Sequence, residues 1–344
     1  MPTTDFAVSV VIATYNRRDM VAECVRSVLQ QSEPVHQVVV VSDGSADDTV
    51  EHLRAAFPEI LVLEQSNFGE SVARNHGIAH CTGDWIAFLD DDDLWHRDKN
   101  RETTAYLRQH PDCKAVATPS WYFSEKESGP KSAYSLRRDF VAPTLEDCHV
   151  QAEKKGKPVN DFQYLDIKGE SFEALLERNR GGISTSTIRR DTLITAGCFP
   201  PSQDRGEDWT LCLNVARLTE WHLLDRPLVF KRMHEEQQTN TTSGAVPVLT
   251  GYLNAWLTGR PLPDKRVRNL EVFTELARFG GPYSRMVQSY LWGSIKAKQW
   301  GLAQRVFCLG LLLLPRTKDR IAMLTPPFLA YRFRQLERRL GKKK

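Results

Sequence analysis

Four consecutive carboxylates, Asp90-Asp91-Asp92-Asp93, directly follow the apolar run Trp85-Ile86-Ala87-Phe88-Leu89. Adjacent like charges repel unless a cation or a hydrogen-bonded ligand compensates them. A hard divalent ion such as Mn²⁺ or Mg²⁺, which takes one or two carboxylates plus substrate phosphates, is the natural partner. A solvated acidic turn ahead of a helix at Asp98 is the plainer alternative. A second acidic pair, Glu207-Asp208, follows Gly206 and leads a helical segment with Leu211, Leu213 and Val215. Such a pair commonly caps a helix dipole, but one carboxylate within hydrogen-bond reach also suffices to take the proton from an attacking hydroxyl. His234 follows Leu228-Val229-Phe230 and Lys231-Arg232-Met233. It reads either as a structural histidine or as an imidazole ligand that suits Mn²⁺ better than Mg²⁺. Lys231 and Arg232 carry positive charge suited to a diphosphate leaving group.

These residues need a frame that brings them together. Val8 to Ile12 reads as a buried strand, and Met20, Val21, Cys24, Val25, Val28 and Leu29 then recur at helical spacing. The cycle repeats: strand Val38 to Val41, a helix opened by Asp47 and Asp48, strand Ile60 to Leu63, a helix over Gly69 to His80, and the strand ending at Leu89. Strands alternating with helices imply right-handed crossovers and a mostly parallel α/β sheet flanked by helices. Ligands of such sheets sit at the carboxyl ends of the strands. Those ends carry Ala13-Thr14-Tyr15-Asn16, Ser42-Asp43-Gly44-Ser45 and the acidic run. The first has none of the glycines of a dinucleotide fingerprint, which argues against a dehydrogenase. Tyr15 offers a ring face to a base and Asp43 an acceptor for a base edge, although Asp43-Gly44-Ser45 by itself is an ordinary turn.

The remaining chain is read more coarsely. Residues 124–170 are polar and irregular, suggesting a long excursion over the site. From about Pro247 the sequence looks helical, with Tyr283 to Gln299 and Leu302 to Leu314 as apolar-rich helices before a break at Pro315. Residues 301–344 hold eleven lysines and arginines against two acidic residues, within a chain of 344 residues and net charge +3. This asymmetry suggests an anionic surface such as a membrane as partner, or simply a solvated tail. The aromatics there form no stacking platform for nucleic acid. Seven cysteines without a CxxC pair argue against a disulfide framework or zinc cage and for a cytoplasmic location. No apolar run reaches the length of a spanning segment.

Taken together, Ser9-Val10-Val11-Ile12-Ala13-Thr14-Tyr15-Asn16-Arg17, Val41-Ser42-Asp43-Gly44-Ser45 with Asp47-Asp48-Thr49, Asn67 and Gly69, Ala73-Arg74-Asn75-His76-Gly77-Ile78, and Gly83-Asp84-Trp85 through Asp93 resemble glycosyltransferase family two. Gly206-Glu207-Asp208 and Arg232-Met233-His234 extend the likeness to about residue 240. The resemblance implies a GT-A fold with a single Rossmann-like sheet. It implies a catalytic domain over 1–240, split into a nucleotide-binding half (1–120) and an acceptor half (121–240), with a helical basic extension over 245–344. It further implies an inverting enzyme that moves one sugar from a nucleotide-diphosphate donor, UDP being the family's commonest, with Mn²⁺ or Mg²⁺.

By resemblance Ala13 and Tyr15 would contact the base, Asp43 its edge, Arg74 the base or diphosphate, and Asp91 the ribose. Asp92 would bind the metal, Asp90 would match the other outer carboxylate of the Asp-X-Asp motif, and His234 would close over metal and diphosphate. Asp208 would be the base, with Glu207 sharing that role or orienting the acceptor. Asp93 has no place in this scheme except to cap the next helix. A glycan or lipid-linked glycan acceptor is expected, in bacterial cell-surface polysaccharide or lipopolysaccharide synthesis, on the inner face of the membrane. A metal-dependent phosphohydrolase or nucleotidyltransferase acting on nucleotide sugars, and a catalytically silent binding module, are the competing readings.

Overall fold

The computed structural model describes residues 6–125, 139–155, 171–177, 182–201, 206–234, 287–288, 290–296, 298–314 and 317–324. Its first half follows the alternation expected from the sequence: β1 (Val8–Thr14), α1 (Arg18–Leu29), β2 (Gln37–Asp43), α2 (Thr49–Ala56), β3 (Leu61–Gln65), α3 (Glu70–His80) and β4 (Trp85–Phe88). Every residue of β1 is buried, because helices cover both faces of the sheet. Side chains alternate across a strand, so β1 feeds two cores. Val10 and Ile12 pack with Val21, Val25 and Val28 of α1 and with Leu53 of α2. Val11 and Ala13 pack on the other side with Ala73 and Ile78 of α3.

The chain continues through β5 (Leu94–Trp95), α4 (Lys99–Gln109), β6 (Ala115–Ala117), β7 (Ser120–Ser124), β8 (Asp139–Val141), α5 (Leu145–Lys155), α6 (Ser171–Glu177), β9 (Thr187–Arg189), α7 (Arg190–Thr195), α8 (Glu207–Ala216), β10 (Trp221–Leu223) and β11 (Val229–Arg232). The central sheet has the order β10-β6-β9-β4-β1-β2-β3. Its pairs are parallel except where β9 runs antiparallel to both β4 and β6. β9 is three residues long, too short to leave a periodic signal in the sequence.

A second, four-stranded sheet, β5-β11-β7-β8, stands beside the single sheet expected. It matters for the site because β5 directly follows the acidic run and β11 directly precedes His234. The expectation of an irregular excursion over 124–170 needs correction in its described part, which contains β8 and α5. Cys148 and Ala152, one helical turn apart, are buried against Trp121, Phe140 and Phe230, so α5 is a packed element despite its charged outer face. Residues 126–138 and 156–170 lie outside the described residues.

The two expected C-terminal helices are present in part. Residues 291–296 are helical, and α9 (Trp300–Leu313) and α10 (Thr317–Leu324) are separated around Pro315. Val287, Leu291, Ala303, Val306, Leu314 and Met323 belong to the same buried cluster as Phe88 and Leu211, so these helices share the core of the sheet. Residues 235–286 and 325–344, including most of the basic tail, lie outside the described residues. Among the described residues no helix is long and apolar enough to cross a membrane.

Close packing of α3 on the sheet depends on Gly77, where a Cβ would stand 2.6 Å from a methyl carbon of Val11 and 3.2 Å from one of Val41. Gly77→Ala should therefore cost about 1–3 kcal/mol by overpacking. Urea denaturation measures this, and an unchanged midpoint would show that α3 is not pressed onto β1 and β2 as described.

Candidate active site

The carboxyl ends of β1, β2 and β4 converge, as the parallel order requires. After β1 the backbone turns at Asn16, which adopts a left-handed φ of 52°. The Asn16 N–H donates to Ser45 Oγ at 3.0 Å, and its Oδ1 accepts from the Ala46 N–H at 2.7 Å, joining the loops after β1 and β2. Tyr15, 47% exposed, projects from this joint with a free ring face, as base stacking would need. Ala13 buries its methyl in the core, so only its main chain is available to a ligand. Asp43 is buried and committed: Oδ1 accepts from Gln65 Nε2 at 2.8 Å and the Phe68 N–H at 2.9 Å, and Oδ2 from the Gly69 N–H at 2.9 Å. A base edge would share a carboxylate that already shapes the 67–69 turn.

Each carboxylate of the acidic run meets a basic side chain, Asp91 and Asp92 sharing one. Asp90 pairs with Arg74 at 2.7 Å and accepts from Ser184 Oγ, which in turn accepts the Asp90 N–H at 3.1 Å. Asp91 accepts from Thr14 Oγ1 at 2.8 Å and from Arg17 at 2.7 Å. Asp92 meets the same Arg17 nitrogen at 3.1 Å and shares a 2.9 Å hydrogen bond with His234 Nε2. Asp93 accepts the Arg232 N–H at 3.1 Å and lies 3.5 Å from Lys231 Nζ. It therefore ties the acidic run to β11, where the sequence reading had it capping a helix.

Arg74 corrects another expectation. It is 4% exposed and gives its terminal nitrogens to Glu70, Asp90 and Glu207, with Glu207 at 3.0 Å. It is a buried bridge and is not open to a base or diphosphate. Through it, the acidic run of the first half is linked to the head of α8. There Gly206, at a left-handed φ of 70°, permits the abrupt entry that places Glu207 and Asp208 in the first turn. Asp208 Oδ1 accepts the Trp209 N–H at 2.6 Å.

Burial governs the protonation of the group. Burial, reinforced by Asp92 and opposed by Arg17, pushes Asp91 up to about 7. Burial also raises Asp93 to about 7, against the pull of Lys231. Asp208 is raised by burial, with Arg74 and the Trp209 N–H working against it. Asp92 goes the other way: its burial is outweighed by the hydrogen bond from His234 and the charges of Arg17 and Lys231, so it stays ionised.

Asp92 and His234 are accordingly the pair able to hold a divalent metal. Asp90 is spoken for by Arg74 and Ser184. Among the described residues no three His, Cys, Asp or Glu side chains form a metal cage. His234 Nδ1 is buried with no hydrogen-bond partner among those residues. One carboxylate and one imidazole, completed by ligand phosphates and water, fit Mn²⁺ or Mg²⁺. The sequence reading did not single out Glu70 or Ser184, nor Arg17 beyond its place in a motif. Arg17 and Ser184 meet the acidic run from 74 and 94 positions away, which no local spacing marks, whereas Glu70 pairs with Arg74 at i,i+4, a spacing visible in the sequence.

The fold is that of the GT-A class, a mainly parallel central sheet flanked by helices. Two solved structures share it. S. aureus TarS 1-349 in complex with UDP is 16% identical, with a TM-score of 0.52 over 97% of this chain and 91% of that one. Mannosyltransferase PcManGT from Pyrobaculum calidifontis, in complex with GDP-Man and Mn²⁺, is 18% identical, with a TM-score of 0.52 over 94% and 84%.

Residues 9–162 match the family model described as glycosyl transferase family 2, and this region of the chain belongs to that family. An uncharacterized glycosyltransferase of Rickettsia felis is 39% identical over 272 residues, 78% of this chain and 39% of that protein. The putative teichuronic acid biosynthesis glycosyltransferase TuaG of Bacillus subtilis is 36% identical over 107 residues, 30% of this chain and 42% of that protein. The chain thus spans 39% of the length of the Rickettsia relative it matches.

Burial and Asp208 push Glu207 up to about 7, against the pull of Arg74. A carboxyl raised in the folded state favours folding while protonated, and that contribution is lost as pH rises through about 7. Glu207→Gln should therefore gain melting temperature relative to the wild type between about pH 5 and about pH 8. Parallel melting-temperature curves for the two proteins would show that Glu207 carries no such penalty.

Proposed function

We propose that the chain is an inverting, metal-dependent glycosyltransferase that moves one sugar from a nucleotide-diphosphate donor to a glycan hydroxyl. The observation that carries this reading is the Asp90–Arg74–Glu207 bridge, which sets a donor-side acidic run beside a second carboxylate, Asp208, at a helix head. The two functions of a single-displacement transferase, gripping a diphosphate and taking a proton, are thereby brought side by side.

Tyr15 stacks on the base, the main chain at Ala13 and the Asp43 carboxylate flank it, and Asp91 faces the ribose. Asp92 and His234 hold Mn²⁺ or Mg²⁺, which when bound supplies positive charge to the diphosphate. Asp90 and Arg74 position this group. Asp208 accepts the proton of the acceptor hydroxyl as its oxygen attacks the anomeric carbon opposite the nucleotide, and the bond to the diphosphate breaks with its electron pair leaving on oxygen. Burial raises Asp208 towards the operating pH, as a general base requires. Glu207, held by Arg74, orients the turn that presents Asp208. A UDP-sugar is the favoured donor, supported by the UDP-bound neighbour, with GDP-sugars the principal competitor on the strength of the other.

The acceptor class is a cell-surface polysaccharide, in line with the teichuronic acid relative. The eleven basic residues of 301–344 favour peripheral contact with an anionic inner membrane face.

Asp208→Asn should retain metal-dependent nucleotide binding while transfer falls by about 10²–10⁴. Wild-type turnover would remove Asp208 from the role, and release of free nucleoside diphosphate without acceptor would favour a hydrolase. Asp92→Ala should abolish the Mn²⁺-dependent thermal shift that a sugar nucleotide produces in the wild type. Deleting residues 325–344 should release the protein from anionic vesicles in sedimentation; unchanged pelleting would refute the membrane contact.

A further inference from the structure

Lys231 and Arg232 both border the acidic run, and sequence alone does not separate them. The structure does. Arg232 is 3% exposed and consumed: its guanidinium binds Glu23 at 2.6 Å, Glu125, and the Asp92 carbonyl at 3.0 Å. It braces the loop from behind. Lys231 points from the neighbouring position of β11 with its side chain 24% exposed, and its ammonium approaches Asp93 only to 3.5 Å. Asp93 already accepts the Arg232 N–H, so this pair is loose. An ammonium carries three donors, and among the described residues Lys231 spends none in a hydrogen bond.

Its surroundings are built for it. Gly182 lies against the ammonium, and a Cβ there would stand 2.8 Å from Nζ and 3.4 Å from Cε. Asp90, Asp92 and Asp93 all act on the lysine charge, and the lysine in turn acts on Asp92 and Asp208. The ammonium thus stands at the edge of the acidic run, 3.5 Å from Asp93 and against Gly182. Of the other cations at the acidic run, Arg17 is already paired with Asp91 and Asp92, and Arg74 with Glu70, Asp90 and Glu207.

We propose that Lys231 is a donor-binding residue whose ammonium donates to an anionic oxygen of the nucleotide sugar, either on the β-phosphate or on the carboxylate of an acidic sugar. This rests on the transferase reading above. It makes Lys231, not Arg232, the side chain that meets the donor's negative charge.

The test is calorimetric binding in Mn²⁺ of UDP, GDP, UMP, GMP, UDP-glucose and UDP-glucuronic acid to the wild type, Lys231→Met and Gly182→Ala. If the β-phosphate is the partner, Lys231→Met should bind the diphosphates about ten- to hundredfold more weakly while monophosphate affinity is unchanged. If a sugar carboxylate is the partner, only UDP-glucuronic acid should weaken. Gly182→Ala, which displaces the ammonium without removing it, should show a smaller loss on the same ligands. Should Lys231→Met not fold, because Asp93 loses its cation, the neutral pair Lys231→Met with Asp93→Asn replaces it. Wild-type affinity of the lysine variant for every ligand would overturn the assignment while leaving the transferase reading intact. A wild type that binds none of these nucleotides would overturn both.

Discussion

A single buried guanidinium holds this molecule's site together. Arg74 sits among Glu70, Asp90 and Glu207, from α3, the loop after β4 and the head of α8. Taking a charge out of water costs several kcal/mol unless fixed partners compensate, and losing one partner leaves the others uncompensated. Burial is what drives Glu207 and its neighbour Asp208 toward protonation; the surrounding carboxylates add to it and Arg74 opposes it. The desolvation of Arg74 and the raised carboxyls of Glu207 and Asp208 are thus two faces of one arrangement.

The same logic explains why four adjacent carboxylates are tolerated. Asp90, Asp91 and Asp93 each face a cation from a different part of the chain, Arg74, Arg17 and Lys231. Asp92 is also touched by Arg17, but its second partner is an imidazole, the one basic side chain of the set that can itself ligate a metal. That difference singles out Asp92 within a run whose sequence is uniform. The second sheet supplies Lys231 and leads directly to His234, so it belongs to the site as much as the central one does.

Much of this was legible in the residues. The alternation of β-branched runs with helical spacing marks β1 to β4, and the polar clusters at their carboxyl ends fall where ligands of parallel sheets bind. The acidic run and Gly206-Glu207-Asp208 stood out because charge concentrated after apolar segments demands an explanation. What stayed hidden was pairing across distance. Arg74 is marked by its motif as a base or diphosphate contact, and only the fold, which sets Glu207 beside it from 133 positions on, shows it as a buried bridge. The antiparallel β9 is too short for a period, and α5 hides a buried face behind glutamates and lysines. The choice between Lys231 and Arg232 required knowing which of them Glu23 and Glu125 neutralise.

The ordering of those pairings along the chain has a consequence for synthesis. Arg232 reaches back 139 residues to Asp93 and 140 to Asp92. At roughly 5–20 residues per second, the acidic loop leaves the ribosome on the order of ten seconds before β11 can arrive to hold it. Over that interval Arg17 and Arg74 are, among the described residues, the cations of its ion pairs already made. The first half of the sheet is thus completed around a segment that repels itself, and the translating chain carries an open electrostatic debt until its second sheet closes.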